Sequence, residues 1–382
     1  MRHILRILLI IANIAVCGLT CLSSFGGLVN PQVSVIPALL TLTLPVWLIA
    51  VPMLLAVDLL CVRKLALIPA LTMVICCGEA WEYCPLRLST ADRRAEVEAD
   101  STARAFTVLS YNTWGLADYR RRHERDTLTH RQKKPLLESG QLSCHPLSYI
   151  FGFHPEVALL QETPVRSINY GCNLNRQQLD SLDTLYPYHL RDFGESIMSE
   201  LPMRQVMLRE PAENGAWFTA AEINIHGTDI LFVSLHLQSI GLNDEDKRLY
   251  RNLMHVNSEK EISAVRHQLV HKLANAFRLR ARQADLLCEQ LDSLDHPNVI
   301  IGGDFNDVSD CYAIRQLKKR GFRTVFSSCG SGPAPTYHAN RFLFHIDHIL
   351  YRGDMTPVAY RRGNAKLSDH YPILATFTLP EP

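Results

Sequence analysis

The stretch Ile300-Ile-Gly-Gly-Asp-Phe-Asn-Asp307 decides the fold class of this chain. The β-branched run from Val299 to Ile301 is typical of the end of a buried strand. Two glycines then permit a sharp turn, and Asp304, Asn306 and Asp307 follow at once. Short oxygen-bearing side chains directly after a strand favour a hard-cation site in a cleft. An Asx-rich turn that caps a helix has the same composition, so both interpretations stay open at this point.

The N-terminal 85 residues differ in composition from the rest of the chain. No charged residue occurs from Ile7 to Val57, whereas a membrane-spanning helix needs only about 20 apolar residues. The sequence therefore predicts an N-terminal transmembrane α-helical region over residues 1–85, with about three spans. The predicted spans are 7–28, 33–57 and 65–81. The third is short, so two spans are the alternative, and a cleaved signal peptide competes with the first span.

The basic residues beside the predicted spans indicate an orientation. They are Arg2, Arg6, Arg63 and Lys64, and the turn at 30–32 has none. The positive-inside rule places the N-terminus and the loop after the second span in the cytoplasm. With three spans the rest of the chain lies outside, and with two it lies inside. We expect an integral protein of the cytoplasmic membrane with an extracytoplasmic domain.

Beyond the membrane region, the sequence predicts a polar linker over residues 86–104 and one catalytic domain over residues 105–382. The formal net charge of the chain is +1, so its overall charge does not indicate nucleic-acid binding. One basic cluster lies at 120–134 and favours a solvated loop, with a phosphate-contacting loop as the alternative. Two pairs of cysteines could form disulfides in an oxidising compartment, and free thiols are the alternative. The pairs are Cys144 with Cys172 and Cys311 with Cys329.

Polar side chains recur at the ends of the predicted strands. The set is Asn112, Glu162, His236, Asp304, Asn306, Asp347, Asp369 and His370. Open α/β sheets place their functional sites at such strand ends. Each side chain alone has an ordinary structural role, such as a core histidine or a turn residue. Together, carboxylates and amides without cysteine favour Mg²⁺ (or Mn²⁺) over zinc.

The order of these side chains and their neighbours resembles the endonuclease/exonuclease/phosphatase family, which includes deoxyribonuclease I, apurinic endonucleases, inositol-phosphate phosphatases and sphingomyelinases. The motifs are Leu-Ser-Tyr-Asn112, Leu-Gln-Glu162, Ser-Leu-His236-Leu, Gly-Asp304-Phe-Asn306, Ile-Asp347-His and Ser-Asp369-His370, together with Gly194-Glu-Ser-Ile-Met-Ser199. The resemblance covers residues 106–378 and implies an α/β fold, a four-layer α/β sandwich with two central mixed β-sheets.

The resemblance also implies a role for each polar side chain. Glu162 would bind the metal, with Asn112 and Asp369 beside it as direct or water-mediated ligands. Asp304 and Asn306 would orient or activate the attacking water.

Two histidines and one carboxylate complete the implied site. Asp347 would hold His370 in its working tautomer, as a carboxylate does for an imidazole. His370 and His236 would flank the scissile phosphate as acid, base or hydrogen-bond donors. The segment 240–295 is longer than a minimal member of the family needs.

Three helices are predicted in addition to the strands. Apolar side chains recur mostly every three or four residues over 258–294, which predicts one long helix. Shorter helices are predicted at 174–185 and near 310–320.

These expectations describe a membrane-anchored, divalent-metal-dependent phosphoesterase that hydrolyses phosphodiester or phosphomonoester bonds. Its partner would be a phosphoester substrate, either nucleic acid or a lipid-linked phosphate. An endonuclease or exonuclease is one option. The alternatives are an extracytoplasmic phosphatase or phosphodiesterase of lipid-linked phosphates, sphingomyelinase-like or polyprenyl-phosphate-directed, and a non-catalytic binding module on a membrane scaffold.

Overall fold

The structure is a computed structural model of the 382-residue chain. It describes the ranges 2–87, 104–116, 119–121, 144–163, 176–192, 194–206, 217–241, 259–339 and 343–381, with four single positions between 132 and 139. Nearly all of the predicted 86–104 linker lies outside the described residues, as does most of the basic cluster at 120–134. All eight predicted site residues lie inside them.

The chain forms two compact units, and each unit is discontinuous in sequence. Unit 1 comprises Met1–Leu86, Gln238–Cys288 and Val308–Arg320. Unit 2 comprises Arg87–Leu237, Glu289–Asp307 and Gly321–Pro382. The contacts thus group two later segments with the N-terminal region, which the sequence patterns did not indicate. The proposed division of the chain into residues 1–85 and 105–382 stays a prediction.

Unit 2 contains two six-stranded mixed sheets. The strands are β1 (Ala105–Asn112), β2 (Val157–Gln161), β3 (Tyr188–Asp192), β4 (Glu195–Ser199), β5 (Met203–Val206), β6 (Trp217–Ile225), β7 (Thr228–His236), β8 (Val299–Asp304), β9 (Arg323–Thr324), β10 (Asp347–Arg352), β11 (Thr356–Arg362) and β12 (Ile373–Thr378). The first sheet has the order β11-β12-β1-β2-β4-β3, and the second has the order β5-β6-β7-β8-β10-β9. This arrangement confirms the predicted α/β class with two central mixed sheets.

The two sheets share one organisation around a central parallel pair. In the first sheet β1 runs parallel to β2, and in the second β7 runs parallel to β8. Every other pairing between the named strands is antiparallel. The carboxyl ends of a parallel pair lie at the same edge of a sheet, so each sheet brings two strand ends together there.

The sheets pack face to face through one apolar cluster. Buried side chains of both sheets meet in it, including Phe106 and Val157 from the first and Phe232 and Ile300 from the second. The closest approach is at Gly302 of β8, where an added Cβ would lie 2.7 Å from Leu159 Cδ1. A side chain at this position would push the sheets apart, because interiors are close-packed. Gly302 is therefore explained by packing between the sheets and not by the predicted turn, because β8 continues through both glycines to Asp304.

The outer face of the first sheet is covered by short helices. Two described helices flank it in the sequence, α6 (His145–Phe151) and α7 (Arg176–Leu185). They contribute Leu147, Ile150 and Leu182 to a second cluster that also contains side chains of β1 and β2. The helix predicted at 174–185 is therefore present.

The remaining helices of the domain follow the predicted pattern. The long predicted helix at 258–294 is α8 (Glu259–Leu294), and α9 (Tyr312–Lys318) corresponds to the helix predicted near 310–320. A short helix, α10 (Val325–Cys329), follows β9. Among the described residues, Cys144, Cys311 and Cys329 form no disulfide, so the suggested pair of Cys311 with Cys329 is not formed, and Cys172 lies outside the described residues.

The N-terminal part of unit 1 is helical. It contains α1 (Arg2–Ser24), α2 (Ile36–Thr41), α3 (Leu44–Cys61), α4 (Leu67–Ile75) and α5 (Cys77–Tyr83). Two stretches, His3–Ser24 and Leu44–Cys61, are long and apolar enough to cross a membrane, and 22% of each is buried. The second predicted span is shorter than expected because α3 begins only at Leu44, with a proline in its first turn.

The side chains of α1 are distributed in an unusual way for a water-soluble helix. Apart from Leu9, its buried positions carry polar or small side chains, among them Asn13, Cys17, Thr20 and Ser24. Its exposed positions carry large apolar ones, and Ile14 is 69% exposed. Asn13 donates a hydrogen bond of 2.8 Å to the buried carboxylate of Asp58 on α3. A polar contact therefore joins the two apolar helices.

A group of charged side chains ties the N-terminal helices to α9 within unit 1. Arg315 Nη2 donates to the Ser24 carbonyl at 2.7 Å and lies 3.4 Å from Glu79 Oε1. Arg315 Nη2 also lies 3.4 Å from the buried Asp310, and Lys318 pairs with Glu82 at 3.0 Å. We call these five side chains and the Ser24 carbonyl the Arg315 cluster.

Candidate active site

The two parallel pairs deliver four of the predicted side chains. Asn112 is the last residue of β1, in register with Gln161 at the end of β2, so Glu162 follows directly beside it. His236 ends β7 in register with Asp304, which ends β8. The parallel pair of the first sheet therefore supplies two of these four side chains, and the parallel pair of the second sheet supplies the other two.

Asp304 is the meeting point of these side chains. It is buried, and its Oδ2 accepts a hydrogen bond from Asn112 Nδ2 at 3.0 Å. The same oxygen lies 3.7 Å from His236 Nε2 and 3.5 Å from His370 Nε2. Asn112 Nδ2 also donates to Glu162 Oε1 at 3.1 Å. One amide therefore bridges the two carboxylates predicted to serve the metal and the water.

Asp347 and His370 form a buried pair. Asp347 is in register with Asp304 on the neighbouring antiparallel strand, and its Oδ2 lies 2.8 Å from His370 Nδ1. Because a carboxylate can only accept, Nδ1 carries the proton in this pair. The remaining nitrogen, Nε2, faces Asp304. The predicted geometric relation of Asp347 to His370 is present.

The other predicted residues surround this centre. His236 lies 4.0 Å from Glu162 Oε1 through its Nε2. Asn306 donates from its backbone to Asp304 Oδ1 at 2.8 Å and from its side chain to the Leu237 carbonyl at 2.9 Å. Asp369 is half-buried and accepts from Ser368 Oγ at 3.3 Å.

Two of the site residues hold costly backbone conformations. Glu162 has φ 53° and Asn306 has φ 51°, both in the left-handed region. Such conformations cost about 1–3 kcal/mol each in a residue with a side chain and cluster at functional sites. Glu162 directly follows β2, and Asn306 lies two residues after the end of β8, so both conformations occur where the chain leaves a strand end.

The charges of the site act strongly on His370. Burial alone would lower its pKa, but the carboxylates of Asp347, Asp304 and Asp369 outweigh burial and raise the pKa of His370 to about 10. Burial raises the pKa of Asp347, and the neighbouring imidazole opposes this shift. The surrounding carboxylates therefore favour the protonated form of His370, which can donate from Nε2.

The residues present fit a divalent cation. Asp304, Asp347 and His370 each offer a ligand atom, and these atoms lie within 4.8 Å of one another. Asp347 already uses Oδ2 to hold His370, while its buried Oδ1 has no hydrogen-bond partner among the described residues. Glu162 remains more open, with 41% of its side chain exposed. A set dominated by oxygen atoms suits Mg²⁺ or Mn²⁺.

Several contributors were not predicted from the sequence. Glu195 begins β4, and its buried carboxylate lies 3.7 Å from His236 Nδ1. Thr336 accepts from the Asp347 backbone at 3.0 Å through Oγ1. Ser368 donates to the Asn112 carbonyl at 2.7 Å. The Gly194–Ser199 motif contained the signal for Glu195, but a glutamate in a strand is not by itself a site residue.

The two-sheet α/β fold and the polar side chains at its strand ends define the class of the protein as a phosphoester hydrolase with an α/β sandwich. A model described as the Endonuclease/Exonuclease/phosphatase family matches residues 109–370, which is more than half of the chain. The chain belongs to this family, whose enzymes depend on divalent metal ions. A second model, for a domain of unknown function, matches residues 6–83. No curated protein matches the chain.

Solved structures with similarity to this chain were also found. D. rerio TDP2 complexed with single strand DNA product is 15% identical, with a TM-score of 0.41, covering 72% of this chain and 98% of that one. A mannosyl-6-phosphatase of Bacteroides thetaiotaomicron is 15% identical, with a TM-score of 0.42, covering 71% and 99%. A family protein of Bacteroides vulgatus is 13% identical, with a TM-score of 0.43, covering 72% and 99%.

Proposed function

We propose that this protein is a membrane-anchored, Mg²⁺-dependent phosphoesterase that uses water as the nucleophile. The observation that carries the proposal is the position of Asp304 Oδ2, within reach of Asn112, His236 and His370. A buried carboxylate between two imidazoles and beside a second carboxylate is the donor and acceptor set that phosphoester hydrolysis needs.

Glu162 is proposed to hold the metal, with Asn112 and Asp369 beside it. A Mg²⁺ ion held by these residues would supply positive charge against the phosphoester anion and would make the attacking water more acidic. Asn112 keeps the Glu162 carboxylate oriented, because its Nδ2 already bonds that carboxylate and Asp304.

Proton movement is assigned to the chain itself. Asp304 accepts the proton of the attacking water, and Asn306 fixes the orientation of Asp304 through the 2.8 Å backbone bond. His370 donates from Nε2 to a phosphoryl oxygen, since Asp347 keeps its other nitrogen occupied. His236, at the end of β7, also donates a hydrogen bond to the phosphoryl group, and the carboxylate of Glu195 orients its ring.

The test of the enzymatic part uses full-length protein in detergent micelles. Wild-type protein should hydrolyse bis-p-nitrophenyl phosphate with Mg²⁺ and stop after chelation. Glu162→Gln should lose at least about a hundredfold in kcat. Glu222→Gln is the matched control. Glu222 forms an ion pair with Arg204 at 2.9 Å and is not one of the eight site residues. Full activity of Glu162→Gln, or of chelated wild type, would contradict the proposal.

The membrane part of the proposal rests on the inverted side-chain distribution of α1 and on chain direction. The end of α1 and helix α5 both contact Arg315, so they lie on one side of unit 1. Helix α3 runs away from that side, so α4 and α5 must return to it. This supports three crossings, with α4 and α5 together forming the third, about 25 Å long at 1.5 Å per residue.

Three crossings and the positive-inside rule place the catalytic domain outside the cytoplasmic membrane. A reporter that is active only outside should therefore work when it is fused after residue 382. The same reporter fused after Lys64 should be silent, since that loop is proposed to be cytoplasmic. Activity of the Lys64 fusion with silence of the full-length fusion would reverse the orientation.

The substrate is proposed to be a lipid-linked phosphate, with nucleic acid as the second candidate. The apolar surface of unit 1 favours the lipid, because it would hold the enzyme at the membrane surface where such substrates lie. Hydrolysis of sphingomyelin or a polyprenyl phosphate in mixed micelles, with no cleavage of DNA or RNA, is the expected result. Salt-sensitive DNA cleavage would instead support a nuclease.

A further inference from the structure

The turn after Asp304 contacts a histidine that stands in the motif Ile-Asp347-His but has no role assigned to it from the sequence. His348 lies on β10 in register with Gly303 of β8 and is buried. Its Nε2 lies 3.0 Å from the Asp307 carbonyl oxygen. Because that oxygen can only accept, Nε2 carries the proton and donates it.

The same ring makes a second contact with the turn. Phe305 is fully buried and meets the His348 ring edge-on, with centroids 5.4 Å apart and planes at 81°. Phe305 and Asp307 are the residues on either side of Asn306. His348 therefore grips the backbone before and after the one residue of the turn that has a left-handed conformation.

The conformation of Asn306 needs such support. With φ at 51°, a residue with a side chain relaxes out of the left-handed region unless its surroundings fix it. The strand that leads into the turn is packed closely on β7, because an added Cβ at Gly303 would collide with the Leu235 carbonyl oxygen. Release of the Asp307 carbonyl would let Asn306 rotate and would free the carboxylate of Asp304 from its backbone bond.

We propose that His348 is a positioning residue that keeps Asp304 and Asn306 in the orientation required for activating water. This inference rests on the proposed phosphoesterase function. His348 touches neither substrate nor metal in the proposal, since its ring lies against the turn from the side of β10. It acts through the hydrogen bond to Asp307 and the packing against Phe305.

A neighbouring histidine supplies a matched control. His345 stacks on His348 with centroids 4.9 Å apart and planes at 7°. Both of its ring nitrogens are buried without a hydrogen-bond partner among the described residues, and burial holds its pKa well below the usual value. His345 thus resembles His348 in burial and stacking but makes no bond to the turn.

The experiment compares His348→Leu, His348→Gln and His345→Phe in the full-length protein. Leucine removes the donor, glutamine restores one near the position of Nε2, and phenylalanine keeps the stacked ring. His348→Leu should lower kcat by about 10- to 100-fold, as loss of a supporting hydrogen bond does. Its KM and half-activating Mg²⁺ concentration should stay within about twofold, because Glu162 is untouched. His348→Gln should recover most of the rate, and His345→Phe should match wild type.

A second readout does not depend on activity. Amide hydrogen exchange at Phe305–Asp307 should speed up in His348→Leu and remain slow in His348→Gln, while exchange in β8 before the turn stays unchanged. If wild type fails to hydrolyse the probe, the phosphoesterase proposal fails, and exchange still decides the role of His348. Unchanged exchange or unchanged kcat in His348→Leu would overturn the inference, as would a glutamine variant as impaired as leucine.

Discussion

The core of unit 2 and helix α1 of unit 1 bury different kinds of side chain. Between the sheets of unit 2 lie large apolar side chains, among them Phe106, Phe232 and Ile300. Helix α1 of unit 1 instead buries Asn13 and Ser24 and exposes its large apolar residues. Apolar area stabilises a fold only when it leaves water, and the proposed membrane anchor would provide that surrounding for the outer surface of α1. Under this proposal the difference teaches that one chain is built for two solvents.

The largest expected effect concerns the polar edge of unit 2. Asp304→Asn keeps the shape of the side chain but removes the charge that faces His236 and His370. We expect kcat to fall by about 10²- to 10⁴-fold, the usual contribution of a positioned base. The midpoint of thermal unfolding should change little. Steady-state hydrolysis of bis-p-nitrophenyl phosphate measures the effect, and a near-wild-type rate would remove Asp304 from the mechanism.

The next prediction contrasts apolar residues of the two units. Phe232→Ala empties a fully buried position between the sheets and should cost about 3–5 kcal/mol of unfolding free energy. Ile14→Ala trims a residue that is 69% exposed and should change stability in detergent by no more than about 0.5 kcal/mol. Urea unfolding followed by a unit 2 signal for the first variant, and helix content for the second, separates them. Equal losses would contradict the contrast.

A smaller effect is expected in the Arg315 cluster of unit 1. Arg315→Ala leaves the buried carboxylate of Asp310 without its guanidinium and removes the bond to the Ser24 carbonyl. A loss of about 1–3 kcal/mol is expected for a buried acceptor deprived of its partner. Thermal unfolding in detergent at about pH 8 measures the change. Arg315→Lys is the control, because it keeps the charge and should lose less. An alanine variant as stable as wild type would show that the cluster is not needed.

The last prediction concerns the dependence of stability on pH. Burial raises the pKa of Asp310 from 3.8 to about 7, although Arg315 and Lys318 oppose the shift. The folded protein therefore keeps this proton over a range in which the unfolded chain has lost it. Stability should fall as the pH rises from about 4 to about 7 and then level off. Asp310→Asn should lack this part of the pH profile in thermal unfolding, and an unchanged profile would contradict the assignment.

The sequence predicted the parts of the fold that depend on local pattern. The helix at 259–294 follows from a periodic apolar stripe, and the strand before Asp304 follows from a β-branched run and two glycines. The eight predicted site residues lie at or beside strand ends for the same reason.

Long-range packing accounts for what could not be predicted. Glu195 reaches His236 only because β4 pairs with β2. The order of strands in a sheet cannot be predicted from the periodicity of apolar residues within each strand. The contact of Arg315 with Ser24 joins residues 291 positions apart in the chain. The hydrogen bond of His348 depends on the register between β8 and β10. Each of these contacts arises from pairing that a single sequence does not encode in neighbouring residues.

The division of the site between two sheets has a consequence for newly made protein. Asn112 and Glu162 come from one sheet, and His236 and Asp304 come from the other. A chain in which only one sheet has formed holds half of the groups and cannot cleave a phosphoester. Hydrolysis would therefore begin only when the two sheets have packed against each other. An incompletely folded chain would not hydrolyse the phosphoesters around it.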